Sequence, residues 1–380
     1  MMLNSKFPKM EMTIFSQISQ MAKEYNAINL GQGFPDFSPN DYLVERIKYY
    51  IDHGVNQYSP MQGMQRLRES IKNLHQKLYN INLNTESEIT ITSGATEAIF
   101  CAISSIINEG EEVIIFDPSY DSYVPNIELN KGVPIRLNLN NDFKVDWEIV
   151  KKNINEKTKC IILNTPHNPS GSILSKDDLD ILWGLIKEKN IFIISDEVYQ
   201  HIIFDGKKHI SPFNDSRFKD RTFCISSFGK SFHVTGWKIG YCLANEELTK
   251  EFRKIHQYTT FCTIGNAQLA LADMLDNKLE LLINLSGFYE KKRDIFRKSL
   301  KNSRFKILST EGSYFQLVDY SEIDSCDDIE FCKKLIKDHS IAAIPISVFY
   351  KNSPSQKIIR FCFAKDDQTL ISIKNKFINI

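Results

Sequence analysis

Two lysines, Lys230 and Lys238, flank a Gly236-Trp237 turn in the stretch Ser226-Ser227-Phe228-Gly229-Lys230-Ser231-Phe232-His233-Val234-Thr235-Gly236-Trp237-Lys238, directly after an apolar run. A lysine held at a strand end in a water-poor cleft has its ammonium destabilised and can act as a Schiff-base nucleophile; a lysine in the open is a solvated surface cation. The stretch is not a phosphate-binding P-loop, because Gly229-Lys230-Ser231 has the closing G-K-S without the opening glycine. A second apolar run, Ile191-Phe192-Ile193-Ile194-Ser195, delivers Asp196, Glu197 and Tyr199 at its carboxyl end. Paired carboxylates there could hold a divalent cation or cap a helix. A third stretch, Thr92-Ser93-Gly94-Ala95-Thr96-Glu97, opens a helical pattern after a strand. Free N–H groups at such a junction form an anion site, and Ser93 could equally make it an ordinary cap. Gly31-Gln32-Gly33 runs into Phe34-Pro35-Asp36 and not into a helix, which disfavours a dinucleotide fold.

The elements that must position these residues follow from the alternation of short Ile-, Val- and Phe-rich runs with longer amphipathic stretches. That pattern predicts an α/β protein with a mostly parallel sheet. Strands are expected at Glu88–Thr92, Glu112–Phe116, Lys159–Asn164, Ile191–Ser195, Thr222–Ser226 and Lys238–Leu243, with helices such as Lys176–Lys189 and Glu246–Tyr258 between them. Beyond about residue 280 the pattern changes: a long charged helix at Leu281–Leu300, strands at Ser313–Val318 and Lys357–Phe363, and helices at Asp327–Asp338 and near the end. This reads as a smaller α+β domain. The carboxyl edge of a doubly wound sheet is where ligands bind, and all three chemistry-bearing stretches fall there.

Length and composition set the outer limits. A chain of 380 residues, 42% hydrophobic and 25% charged, is long enough for two or three domains and too apolar for disorder. With 47 basic and 47 acidic residues the net charge is zero, so no global field favours nucleic acid or an anionic membrane. Eight dispersed cysteines without a C-x-x-C pair predict reduced core thiols. The opening MMLNSKFPKMEMTIF lacks a signal-peptide profile and no long apolar span occurs, so the expectation is a cytoplasmic protein. His167 and His233 lie beside the motifs, but no H-E-x-x-H or His/Cys cluster at ligand spacing is present, and no metal is expected. Phe100, Ile103 and Ile107 read as core, and the run Glu290-Lys291-Lys292-Arg293-Asp294 as a solvated helix face.

Taken together, Asn29-Leu30-Gly31-Gln32-Gly33-Phe34-Pro35-Asp36-Phe37, Asn56-Gln57-Tyr58, Asn164-Thr165-Pro166-His167-Asn168-Pro169, Ser195-Asp196-Glu197-Val198-Tyr199, Ser227-Phe228-Gly229-Lys230 and Gly236-Trp237-Lys238 carry a resemblance over essentially the whole chain. The sequence resembles the class I aminotransferases of pyridoxal-phosphate fold type I, and within them the methionine aminotransferase branch near kynurenine aminotransferase and glutamine transaminase K. The resemblance implies that Lys230 bonds pyridoxal 5'-phosphate (PLP) as a Schiff base and, once released, shuttles the substrate proton. It implies that Asp196 faces the pyridine nitrogen, that Tyr199 and Asn168 bond the phenolate oxygen, and that Tyr120 stacks on the ring. Ala95, Thr96, Ser227 and Lys238 would hold the phosphate, and Arg360 in Ile358-Ile359-Arg360-Phe361 the substrate α-carboxylate. An arginine among apolar neighbours is otherwise costly, and could also sit in a buried ion pair.

By the same resemblance Gly31 lines the carboxylate site, and Tyr58, Phe261 and Cys262 reach the neighbouring subunit's site in a homodimer. Residues 41–280 would form the large PLP-binding domain, and 1–40 with 281–380 a discontinuous small one. Phe15, Tyr58, Tyr120 and Phe261 predict an apolar pocket without a second arginine, which favours methionine, aromatic amino acids or glutamine over aspartate. The expected reaction is transfer of the α-amino group to a 2-oxo acid. A cysteine-conjugate or cystathionine β-lyase is the rival within the cofactor class. A PLP-fold sensor domain of a transcription regulator is the rival outside it, but it needs a DNA-binding module and only about 40 residues precede the large domain.

Overall fold

The computed structural model describes residues 5–7 and 12–380; part of the N-terminal stretch discussed above lies outside the described residues. Numbered along the chain, the strands are β1 (Ile28–Asn29), β2 (Ile89–Thr92), β3 (Glu112–Asp117), β4 (Val133–Asn138), β5 (Thr158–Asn164), β6 (Phe192–Asp196), β7 (Thr222–Ser227) and β8 (Gly240–Leu243). They continue with β9 (Lys306–Ile307), β10 (Phe315–Asp319), β11 (Ile341–Ala342), β12 (Ile344–Pro345) and β13 (Ile358–Cys362). β2 to β8 make one seven-stranded sheet in the order β2-β8-β7-β6-β5-β3-β4. β8 runs antiparallel to both neighbours, and the other paired strands are parallel. The sheet is α/β and mostly parallel, as the periodicity predicts.

Its central strands are apolar throughout because helices cover both faces. Ile194, Phe223 and Ile225 are buried to the last few per cent under helix Gly94–Ile106, which packs Ile99, Ile103 and Ile106 against them, while Ile193 is buried on the opposite face with Leu179, Leu182 and Ile186 of helix Lys176–Ile186. Ile103 and Ile107 are core, with Phe100 packed partly buried against it. The sheet register sets β5 Asn164 beside β6 Asp196 and β6 Asp196 beside β7 Ile225, so polar residues at successive strand ends converge on one edge.

The C-terminal third supplies a second sheet, antiparallel in the order β12-β13-β10-β9. β1 pairs in parallel with β11, which draws the N-terminal segment onto this part of the molecule. Helix Ile14–Glu24 follows it there and packs against helix Asp328–His339.

Several expectations need correction. β4 was not expected: it is an edge strand carrying Pro134 and Arg136, and pairs on one side only. The helix expected over Leu281–Leu300 is two, Leu279–Ile283 and Leu285–Leu300, parted at Asn284. Lys238 lies outside β8, in the left-handed region at φ 54°. The charged run is not a solvated face: Lys292 and Arg293 are only 6% and 3% exposed. Lys292 donates to the Lys365 carbonyl and Asp367, and Arg293 grips Asp205 with two bonds of 2.8 and 2.9 Å. All eight cysteines are free thiols, six of them buried.

Candidate active site

The converging strand ends open into a cleft of roughly 800 Å³, its mouth included. Gly94, Ala95, Thr96, Tyr120, Asn168, Asp196, Tyr199, Ser227, Lys230 and Lys238 all line it. Every residue the sequence assigned to the cofactor is therefore on one wall or another of a single cavity. Asn164, Val198, Gly229, Thr235 and Ile239 complete much of the surface.

One end of the cleft is built for an anion. Helix Gly94–Ile106 begins there with Ser93 making no side-chain cap, which leaves the first N–H groups free of that partner. Gly94 has φ +77°, and a Cβ there would meet Lys238 Nζ at 3.3 Å, so the glycine lets the ammonium close over the turn. Behind the turn, Glu97 accepts from the Ser93 N–H at 3.0 Å and anchors the loop. Glu97 also bonds Cys101 Sγ at 2.9 Å and His256 Nδ1 at 2.8 Å, a cluster the sequence spacing did not reveal. Those separations are hydrogen bonds; ligand atoms around a tetrahedral zinc sit roughly 3.3–3.5 Å apart. The cluster holds the turn.

The other end is acidic. Asp196 is buried, accepts from the Tyr123 hydroxyl at 2.7 Å, and is pushed up to about 6 by loss of solvent, which its hydrogen bonds only partly offset. A cation placed against it would favour its charged form. Glu197 points elsewhere: it accepts from His209, Ser195 and Ser211, each at 2.6 Å. The acidic pair is thus split between two sites and shares no cation among the described residues.

Between the two ends stands Lys230, whose Nζ donates to the Tyr314 hydroxyl at 2.9 Å and the Gly33 carbonyl at 3.2 Å. Burial is the main cause that brings its ammonium down to about 8, with Arg360 and Lys238 pushing the same way. The amine is consequently available near neutral pH. Labelling of cofactor-free protein with a lysine-acylating reagent is expected to show Lys230 reacting ever faster as pH rises through about 8, some two units below ordinary lysines. Peptide mass spectrometry would check it; a midpoint near that of surface lysines would contradict the assigned environment.

Arg360 stands next to this cleft on β13. Nη1 donates to Asn168 Oδ1 at 2.8 Å and Nη2 to the Gly31 carbonyl at 3.0 Å, while buried Nε has no partner. Its guanidinium lies 4.0 Å from the Phe315 ring centre and 5.2 Å from that of Phe349. Among the described residues no carboxylate comes within 4.0 Å of it, so the alternative of a buried ion pair is not what the fold builds. Because Asn168 spends its oxygen on Arg360, its amide N–H groups are left for the cleft.

Other expected residues sit differently. The missing side chain of Gly31 serves packing, since a Cβ would meet Ile344 at 3.1 Å; what this residue offers the site is its carbonyl, held by Arg360. Tyr58 and Phe261 do not reach the Lys230 cleft of their own chain. Tyr58 is 85% exposed and meets Phe261 edge-on at 5.6 Å. His167 bonds Ser170 at 2.7 Å, and His233 packs among Phe37, Phe288 and Tyr289, both outside the cleft wall. Tyr123 and Tyr314 were missed: neither follows an apolar strand run, and each reaches the site through one hydroxyl in a contact between distant segments.

Comparison with known proteins now bears directly on the arrangement. The Aminotransferase class I and II family matches residues 25–373. This chain belongs to the class I and II aminotransferases. The methionine aminotransferase of Escherichia coli K12 is 47% identical over 97% of this chain and 96% of its own length. Kynurenine–oxoglutarate transaminase 1 of mouse is 32% identical over 93% of this chain and 92% of its own. Among solved structures, Escherichia coli YbdL, identified as a methionine aminotransferase, superposes with a TM-score of 0.98 at 46% identity over the full length of both chains. N-succinyldiaminopimelate aminotransferase from Mycobacterium tuberculosis follows at 0.95 and 31%, again over both full lengths. No helix among the described residues is long and apolar enough to cross a membrane.

Proposed function

We propose that this aminotransferase transfers the α-amino group of methionine or an aromatic amino acid, glutamine being a further candidate, to a 2-oxo acid, using PLP as cofactor. The observation that carries the reading is Arg360: a buried guanidinium without a carboxylate, beside a cleft that holds a lysine with a depressed pKa. A buried charge of this kind is tolerated when a ligand completes it, and a planar fork suits an α-carboxylate.

The cleft fits the cofactor at both ends. The Gly94–Lys238 cradle, the Ala95 and Thr96 N–H groups and Ser227 would hold a phosphate, and Asp196, kept in place by Tyr123, would hold a protonated ring nitrogen. Tyr120 would cover one ring face, while Tyr199 and the Asn168 amide would bond the ring oxygen. PLP, when bound, supplies an electron-withdrawing ring that takes up the electron pair left by the departing α-proton. Lys230 would hold the cofactor covalently and, when free, take and return that proton at Nζ. Arg360 orients the substrate so that its Cα faces this amine.

Substrate preference rests on the surroundings of Arg360. Phe15, Phe315 and Phe349 ring its guanidinium, and among the described residues the only cations on the cleft wall are Lys230 and Lys238. Among the described residues no arginine lines the cleft to meet a side-chain carboxylate, and the relative with 47% identity is a methionine aminotransferase. With PLP and a 2-oxo acid acceptor, kcat/KM for methionine or phenylalanine is expected to exceed that for aspartate by at least about 10²-fold, a margin typical of a site lacking a partner for a buried charge. Chromatography of the amino acids formed would measure it; faster turnover of aspartate would overturn the apolar-pocket reading.

The same reading makes the protein a cytoplasmic homodimer with a large unit at 41–280 and a small one at 1–40 and 281–380. Its support is the exposed cluster of Tyr58, Tyr258, Phe261 and Ile264, apolar groups that a second copy would cover. The β1–β11 pairing supports the discontinuous small unit.

A further inference from the structure

We infer that Tyr314 is a positioning residue that aims the free amine of Lys230 into the cleft. The inference rests on the reading of Lys230 as the amine that takes and returns the substrate proton, and extends it to a residue with no motif of its own. Tyr314 is fully buried just before β10, its ring edge-on to those of Tyr199 and Phe315, both at 5.0 Å. The ring cannot swing, so the hydroxyl has one place to be.

That hydroxyl donates its single proton to the Gly33 carbonyl, which leaves its oxygen facing Lys230 Nζ as an acceptor at 2.9 Å. The Gly33 carbonyl is a second acceptor for Nζ, at 3.2 Å. A neutral amine has two N–H bonds and one lone pair. With both N–H bonds committed to Tyr314 and Gly33, the lone pair takes the remaining direction, toward the cleft that Lys230 lines. A base in this state needs no reorientation before it accepts a proton.

Neither acceptor belongs to the seven-stranded sheet. Gly33 lies in the N-terminal segment, seated so closely that a Cβ there would meet the Phe315 ring at 2.8 Å, and Tyr314 leads into the second sheet. Lys230 is held from across the cleft by parts of the molecule that also carry Arg360. Amine and carboxylate site are thereby referenced to the same framework.

The test compares wild type with Tyr314→Phe, which keeps the ring and removes one oxygen. In cofactor-free protein, the pH midpoint for labelling of Lys230 is expected to fall by at least about half a unit, because the ammonium loses an acceptor. With PLP, kcat is expected to fall roughly 10- to 100-fold while KM for methionine stays within about twofold, the pattern of a misdirected base and not of weakened binding. Circular dichroism and thermal melting report folding. Should the phenylalanine variant fail to fold, 3-fluorotyrosine at position 314, introduced by codon suppression, weakens the same oxygen as an acceptor and must move the midpoint the same way. An unchanged midpoint together with an unchanged kcat in a folded protein overturns the inference. If Lys230→Ala also leaves turnover unchanged, it is the reading of Lys230 itself that fails.

Discussion

Replacing Lys230 with alanine is expected to lower transamination by about 10³-fold or more, the range in which a positioned acid–base group acts, with the covalent attachment of the cofactor lost besides. No other side chain can stand in. Lys238, the second amine on the cleft wall, sits against Gly94 in a left-handed backbone conformation at the anion end. The fold should survive the substitution. Lys230 contributes bonds only to the Tyr314 hydroxyl and the Gly33 carbonyl, and those two groups already bond one another. The melting temperature is therefore expected to stay within a few degrees or rise, since a partly buried ammonium is removed. Two measurements check this: amino acid analysis of a methionine and 2-oxo acid mixture, and peptide mapping after borohydride reduction with PLP, which should mark Lys230 in wild type and no residue in the variant. Retained turnover would mean that another lysine does the chemistry.

The residues of that cleft differ in how openly the sequence displays them, and the difference is physical. Asp196 and Ser227 end apolar strand runs and Lys230 follows within one helical turn of β7, and in a mostly parallel sheet a strand's carboxyl end fixes where the next polar side chains land. Their convergence follows from β6 lying beside β7. Tyr123 and Tyr314 obey no such local rule. Tyr123 meets Asp196 across 73 residues, and Tyr314 meets Lys230 across 84, so both contacts belong to packing between elements. The charged run at 290–294 misled for the same reason: Lys292 and Arg293 are paired with Asp367 and Asp205 from distant segments, and pattern alone cannot show a partner that buries a charge. Strands β1, β11 and β12 have two residues each and exist only through their pairing.

Arg360→Lys keeps the charge and changes only its geometry, which makes it the sharper test of substrate recognition. The guanidinium does three things at once: it fixes Asn168, holds the Gly31 carbonyl and sits over Phe315, 4.0 Å from the ring centre. A lysine ammonium has three tetrahedral donors on one atom and no plane, so it cannot keep those partners and also grip a carboxylate with two parallel bonds. Losing two charge-assisted bonds worth about 1.5–3 kcal/mol each, partly recovered by the ammonium, leaves a deficit of roughly 3–4 kcal/mol. At about 1.4 kcal/mol per decade this predicts a fall of 10²- to 10³-fold in kcat/KM. The factor should be the same for methionine and phenylalanine, which differ in side chain and share the α-carboxylate. It should vanish for the amine that methionine becomes without its carboxylate, however slowly wild type uses it. Steady-state kinetics on the three compounds separates the cases: equal losses for both amino acids and none for the amine place the carboxylate at Arg360, whereas a loss that follows the side chain would move Arg360 into the specificity pocket and leave the α-carboxylate without a partner.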